Sequence, residues 1–90
     1  VKDDRFEWDD DKARANVRKH GVSFELARAA FDDPGFLDVA ETDPDEERYN
    51  RLCMINNVIL VVTFVERGWR IRIISARRAE RHEQRTYFEQ

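Results

Sequence analysis

The stretch Glu47-Arg48-Tyr49-Asn50-Arg51-Leu52-Cys53-Met54-Ile55-Asn56-Asn57-Val58-Ile59-Leu60-Val61-Val62-Thr63-Phe64-Val65-Glu66-Arg67-Gly68-Trp69-Arg70-Ile71-Arg72-Ile73-Ile74-Ser75-Ala76 decides the fold. It holds three runs rich in β-branched and aromatic residues, separated by two short turn signals, Asn56-Asn57 and Arg67-Gly68. Asparagine and glycine tolerate the positive φ that tight hairpin loops require. The reading is three consecutive antiparallel strands over 47–55, 58–65 and 69–76. The middle run is apolar at both phases of the pleat, which suits a central strand.

If both loops contain two residues, the register follows by counting. Ile55 then pairs with Val58, and Glu66 with Trp69. Asn50 faces Thr63, which faces Arg72; one rung away Arg48 faces Val65, which faces Arg70. These six residues share a side of the sheet. Leu52, Val61 and Ile74 continue it, followed by Met54, Ile59 and Ala76, so this side is cationic at one end and apolar at the other. The opposite side, with Tyr49, Cys53, Ile55, Leu60, Val62, Phe64, Ile71 and Ile73, reads as core. Arg51 interrupts that core opposite Val62 and is expected to snorkel out at a strand edge.

Working outward, Arg5-Phe6-Glu7-Trp8 alternates and reads as a short first strand. Asp9-Asp10-Asp11 supplies an N-cap and acidic charge for a helix over about 10–19, with Ala13, Val17 and His20 as its stripe and Gly21 as the left-handed residue after its end. Ser23 caps a second helix over 24–31, stopped by Asp32-Asp33-Pro34-Gly35. A strand over 36–41 and an acidic loop over 42–46 lead into the three-strand unit. After it, 77–89 reads as a charged helix with Ala79, His82, Thr86 and Tyr87 facing inward. The order is β-α-α-β-β-β-β-α: an α+β domain over 1–90, with an antiparallel sheet, two N-terminal helices and one C-terminal helix.

The chain has 16 Lys and Arg against 19 Asp and Glu, a formal net charge of −3. Such a chain does not attract nucleic acid from afar, so the distribution of charge matters more than its sum. Acids crowd the start and the middle. Seven arginines run from Arg67 to Arg85, both ends included, opposed there only by Glu80 and Glu83. This third of the chain can hold a phosphate. The longest apolar run, 58–65, is too short to span a bilayer, and the polar, acidic start does not look like a signal peptide. A lone cysteine, Cys53, fits a reducing cytoplasm and reads as a small buried hydrophobe. No spacing of Cys, His and acids resembles a metal site, and no cofactor is expected.

Arginines gathered on neighbouring rungs repel one another unless something anionic meets them. Guanidinium suits phosphate, because it stays charged and grips two oxygens in a planar fork. The plainer reading is a surface network in which Glu47, Glu66 or a helix acid neutralises them.

Several blocks in order carry a family resemblance: Phe6-Glu7-Trp8-Asp9, Lys12-Ala13, Asn16-Val17-Arg18-Lys19-His20-Gly21-Val22-Ser23-Phe24, Ala29-Ala30-Phe31-Asp32-Asp33-Pro34, Glu47-Arg48, and Arg70-Ile71-Arg72-Ile73-Ile74-Ser75-Ala76-Arg77-Arg78-Ala79, with Glu83 and Tyr87-Phe88-Glu89 closing. Over nearly its whole length the chain resembles the BrnT family of RelE-like toxins. It departs from the family pattern at Cys53 and Glu46, where glycine is usual, and at Asn57-Val58, where the turn is usually more basic. The resemblance implies a ribonuclease toxin of a bacterial type II toxin–antitoxin system, which arrests growth by cutting RNA. It also implies a cognate BrnA-like antitoxin in a 2:2 complex, with operator DNA met only through that antitoxin, and no membrane.

Metal-independent RNA cleavage drives a 2′-hydroxyl against the adjacent phosphorus. It needs a base for that hydroxyl, an acid for the 5′ leaving oxygen, and positive charge around the phosphate. Arg48, Arg72 and Arg77 are the candidates for the charge. Arg77 is read at the entry to the last helix, where free amides can assist. His20 suits acid or base work, with an unperturbed pKa of about 6.5, unless it is simply a helix-end residue favoured by the dipole. Glu47 is a candidate base, or else a partner of Arg48 or Arg70. Lys19, Asn50, Thr63 and Arg70 are candidate substrate-binding groups, and His82 is most simply a helix-face residue. Trp8 and Trp69 can stack on a base or, more simply, anchor the core. The alternative to an enzyme is a non-catalytic, toxin-like binding module that only partners an antitoxin or co-represses its operon. The net acidity and the lack of a recognition helix disfavour direct DNA binding. The acidic stretch between residues 32 and 47 would suit a basic antitoxin segment.

Overall fold

The structure, a computed structural model, describes residues 1–41 and 45–90. β1 (Phe6–Glu7) leads into α1 (Asp10–His20) and α2 (Phe24–Ala27), which tightens into a 3-10 turn (Arg28–Phe31). β2 (Leu37–Glu41), β3 (Arg48–Ile55), β4 (Val58–Arg67) and β5 (Arg70–Arg78) follow, and α3 (Arg81–Phe88) closes the chain. This is the α+β order read from the sequence. The expected acidic loop over 42–46 falls partly on Thr42, Asp43 and Pro44, which lie outside the described residues.

The five strands form one sheet in the order β1-β5-β4-β3-β2. It is not antiparallel throughout, as expected, but mixed: β1 runs parallel to β5, pairing Phe6 with Ile71 and Glu7 with Arg72. β1 and β5 lie far apart in sequence and no hairpin joins them, so hairpin geometry does not fix their relative direction.

Local chemistry accounts for the helices. The Asp9 carboxylate accepts from the amides of Asp11 and Lys12, and Gly21, at φ 71°, ends α1 by donating to the Val17 carbonyl. The inward stripe is not the expected one: Asn16 is buried, whereas Val17 is 47% exposed. The Ser23 hydroxyl caps α2 through the Leu26 amide. α1 and α2 cover one face of the sheet, where Phe6, Trp8, Val22, Phe24, Ala27 and Ala30 meet Cys53, Ile55, Leu60, Val62, Ile73 and Ala76. α3 covers part of the other face, where Ala79 and Tyr87 meet Leu52, Ile59 and Val61.

The register of β3 against β4 matches the counted one at every pair, from Arg48 opposite Val65 to Ile55 opposite Val58. Asn56 and Asn57 both adopt positive φ, as that hairpin requires. The second turn lies one residue later than read. Gly68 takes the first central position at φ 61°, and Arg67 pairs with Arg70. Arg72 therefore faces Val65 and not Thr63, and Arg70 faces Arg67 and not Val65. The shift is even, so both arginines keep their side of the sheet.

A second correction reverses the pleat. A bulge between Thr63 and Phe64 leaves Ile74 as the extra residue of β5, so Thr63 pairs with Ser75, Val62 with Ala76 and Val61 with Arg77. Ala76, expected on the cationic side, is fully buried in the α1-side core. Arg77, which unbroken alternation would put in that core, moves to the arginine side.

Two further expectations change. Arg51 does not snorkel out. Its guanidinium makes two bonds to Asp38, across in β2, at 2.7 and 2.8 Å. It lies over the rings of Phe31, Phe36 and Phe64 at 4.4, 3.9 and 5.2 Å from their centroids. α3 starts at Arg81 and not at residue 77, because Arg77 and Arg78 remain paired in the sheet. A reciprocal Glu80–Glu83 capping box marks the start. Of the residues expected to face inward, Ala79 and Tyr87 are buried while His82 and Thr86 stay exposed. Among the described residues no helix is long and apolar enough to cross a membrane.

Candidate active site

One rung crosses all five strands: Glu7 of β1, Arg72 of β5, Val65 of β4, Arg48 of β3 and Glu41 of β2. Two guanidiniums thus flank a valine that is only 3% exposed, with carboxylates at both ends. Arg72 donates to Glu7 at 3.1 Å, and Arg48 donates through Nε to Glu46 at 2.8 Å. The adjacent rungs on this side carry Asn50, Thr63 and Ser75, with the Thr63 hydroxyl donating to the Asn50 side-chain oxygen at 2.6 Å.

Beyond the bulge comes Arg77. Its two terminal nitrogens hold both oxygens of Glu83 on α3, at 2.8 and 2.9 Å. Glu83 also accepts from the Glu80 amide at 2.8 Å. The fork from Arg77, reinforced by that amide, keeps the Glu83 carboxyl below the usual carboxylate range, although burial opposes it. The same contact raises Arg77. Between α3 and the sheet lies a shallow hollow of about 230 Å³, lined by Val39, Asn50, Leu52, His82, Glu83 and Thr86.

The backbone that carries Arg77 is pinned from behind. β1 pairs with β5 only as far as Arg72, which leaves the later edge of β5 without a strand. Asn16 of α1 takes its place. Its side-chain amide donates to the Ala76 carbonyl at 2.8 Å and its oxygen accepts from the Ala76 amide at 3.3 Å, while a further bond reaches the Val22 carbonyl. One buried side chain therefore satisfies both polar groups of the residue before Arg77.

The structure thus brings Arg48, Asn50, Thr63, Arg72 and Arg77 to one side of the sheet. Arg70 shares that side at its far end, where Nε donates to the Asp3 carbonyl at 2.7 Å. Glu47 precedes β3, is exposed, and accepts from the Tyr49 hydroxyl at 3.3 Å. Lys19 and His20 end α1, in the layer on the opposite side of the sheet; Lys19 is exposed and His20 half-buried. Trp8 is core, edge-on to Phe24, whereas Trp69 is 78% exposed and anchors nothing. At the start of α3 the capping box occupies the amides of Glu80 and Glu83.

Three residues of this region escaped the sequence reading. Glu7 was visible only as part of a two-residue strand whose partner was unknown. Glu83 became visible only once the helix start moved to Glu80, the N3 acid of a capping box being its signal. Asn16 was hidden because an asparagine on a helix ordinarily faces solvent. Chemically, this side of the sheet offers guanidiniums for phosphoryl oxygens and carboxylates beside them that accept protons. Among the described residues, Glu80, His82 and Glu83 bring possible metal-ligand atoms within 4.8 Å of one another. Two of these are exposed, and Glu83 is already held by Arg77.

A family model described as "Ribonuclease toxin, BrnT, of type II toxin-antitoxin system" matches residues 8–83. The chain belongs to this family. The match spans α1 through the first three residues of α3, and so takes in Arg48, Asn50, Thr63, Arg70, Arg72, Arg77 and Glu83 of the BrnT domain; Glu7 lies just outside it. No curated protein matches the chain. Membership makes the chain a ribonuclease toxin of a type II system, with an antitoxin as its partner.

Proposed function

We propose that this chain is a metal-independent endoribonuclease, acting in the cytoplasm as one RelE-like domain over residues 1–90. Arg48, Arg72 and Arg77 surround the scissile phosphate and offset the charge that builds on it as the 2′-hydroxyl attacks. Asn50 and Thr63 line the path of the strand, with Arg70 binding a flanking phosphate; Lys19, in the opposite layer with His20, takes no part on this side. Glu7 and Glu47 are the carboxylates proposed as base. Glu7 is the better placed of the two, because it sits on the arginine rung. For the acid, His20 ends α1 in the opposite layer, whereas His82 borders the hollow beside Glu83 and is preferred. A cognate DNA-binding, BrnA-like antitoxin neutralises the toxin in a 2:2 complex and carries it to operator DNA. If the acidic stretch between residues 32 and 47 receives that partner, added salt weakens the complex.

The observation that carries this reading is the gathering of three guanidiniums on one side of a sheet in a chain of a ribonuclease family. Arg72→Ala and Arg77→Ala should each abolish growth arrest on induction while circular dichroism stays native. Toxicity retained in both folded variants would refute the assignment. Cleavage of RNA by the purified chain in excess chelator tests the independence from metal.

A second reading, a non-catalytic module that only binds an antitoxin, is favoured by one specific observation. Each of the three guanidiniums already has a carboxylate: Glu46, Glu7 and Glu83. Inducing the wild-type chain without its antitoxin separates the two, since a pure binder leaves growth unchanged.

A further inference from the structure

The tip of the β4–β5 hairpin differs from the rest of the arginine side. Arg67 and Arg70 stand directly opposite each other as its last rung, and among the described residues neither forms an ion pair with a carboxylate. Like charges so placed destabilise a hairpin. The Arg70 guanidinium is held in place by the Asp3 carbonyl and lies 5.2 Å from the centroid of the Trp69 ring. Trp69 belongs to neither core cluster, and its 78% exposure leaves a large apolar surface in water. The adjoining Gly68 opens onto empty space. Arg72 follows Arg70 by two residues on the same side, so the tip is continuous with the rung through Val65.

We propose that this tip is a subsite for single-stranded RNA, in which Trp69 stacks on one unpaired base and Arg67 and Arg70 grip the phosphates beside it. The inference rests on the ribonuclease reading above. An indole face accepts any base, and a guanidinium already packed near that ring extends the platform. The phosphates relieve the repulsion between the two arginines. The subsite lies toward the Arg72 end of the rung, so it holds a nucleotide next to the one being cut and sets how the strand is threaded.

The test uses the whole chain with an unstructured oligonucleotide whose 2′-hydroxyls are replaced by hydrogen, so that it binds without being cleaved. Binding should quench tryptophan emission, with buried Trp8 contributing a constant background that Trp69→Phe isolates. Trp69→Ala should weaken binding by about tenfold or more, and Trp69→Phe should recover most of the loss. In a series of oligonucleotides with one abasic position each, one member should bind the wild type as weakly as the intact strand binds Trp69→Ala. Unchanged affinity in Trp69→Ala, or emission indifferent to the ligand, overturns the subsite. So does a variant that loses affinity for the antitoxin alone. Cleavage of the all-ribose strand, measured separately, keeps the two readings apart. A wild type that cuts RNA while Trp69→Ala binds normally loses only the subsite, and one that neither binds nor cuts loses both.

Discussion

Cys53 sits fully buried on β3, and its thiol donates to the Leu60 carbonyl at 3.7 Å. Burial, helped by the nearby Asp33 carboxylate, pushes that thiol up to about 12. Almost none of it is the reactive thiolate at neutral pH. Iodoacetamide at pH 8 should therefore leave the native chain unmodified and alkylate it readily in urea; equal rates in both would show that the site opens. Arg51 is the other residue whose environment decides its chemistry. Three rings and two bonds to Asp38 hold it, and its side chain is only 12% exposed. Asp38→Ala leaves that guanidinium without its carboxylate, and should cost about 2 kcal/mol or more. Arg51→Met keeps the apolar contacts and should cost less. The reverse order in urea denaturation would mean that the pair contributes little. The sequence showed that Arg51 was out of place on an apolar side, but not what compensates it. Asp38 reaches it through the pairing of β2 with β3, a register for which the sequence offers no two-residue turn signal to count from.

The β3–β4 hairpin was legible to the rung and the β4–β5 turn to within one residue, whereas features set by packing were not. Asn56-Asn57 set the β3–β4 register correctly because asparagine at positive φ admits few alternatives. The bulge in β5 was invisible because Ile73 and Ile74 are both apolar, so either phase of the pleat satisfies the core. In the observed phase Asn16 bonds both backbone groups of Ala76 from the α1 layer, and Arg77 stays out of the core. Asn16→Ala leaves those groups buried without partners and should cost about 2–3 kcal/mol. It should also free the stretch that presents Arg77. Val17→Ala, at an exposed position one residue on, is the control and should stay within about 0.5 kcal/mol of wild type. Hydrogen exchange at Ala76 reads the effect directly: its amide should lose protection in Asn16→Ala while those of β3 keep theirs. Uniform loss across the sheet would show a general destabilisation and not a clamp on β5.

Across the whole molecule the acids outnumber the bases, yet several of them hold the fold together through backbone amides. Asp3 is kept below the ordinary range by the amides of Phe6 and Arg5, and Asp9 chiefly by the Lys12 amide at the start of α1. At Asp33 burial opposes ionisation, but the Met54 and Gly35 amides and the Tyr87 hydroxyl outweigh it. Glu83 is lowered by Arg77. A carboxyl lowered in the folded state contributes stability that is present above its ordinary pKa, about 4, and is lost as pH falls through the folded value. The alkaline side has the opposite sign. Tyr87 is raised by burial and by Asp33, Tyr49 by the Glu47 carboxylate, and Cys53 by burial. Each raised group stabilises below its ordinary pKa and loses that contribution as pH rises toward the folded value. The urea midpoint should therefore be flat between about pH 5 and 8. It should fall below about pH 4.5 as the four carboxyls protonate, and again above about pH 9 as the thiol and phenols ionise in the unfolded chain. Tyr87→Phe removes one raised phenol and one bond to Asp33, so it should soften the fall on both sides while lowering the plateau. A midpoint unchanged between pH 7 and pH 3.5 would mean that these amide-held carboxylates contribute nothing to the fold. The acids would then serve only to set the net charge.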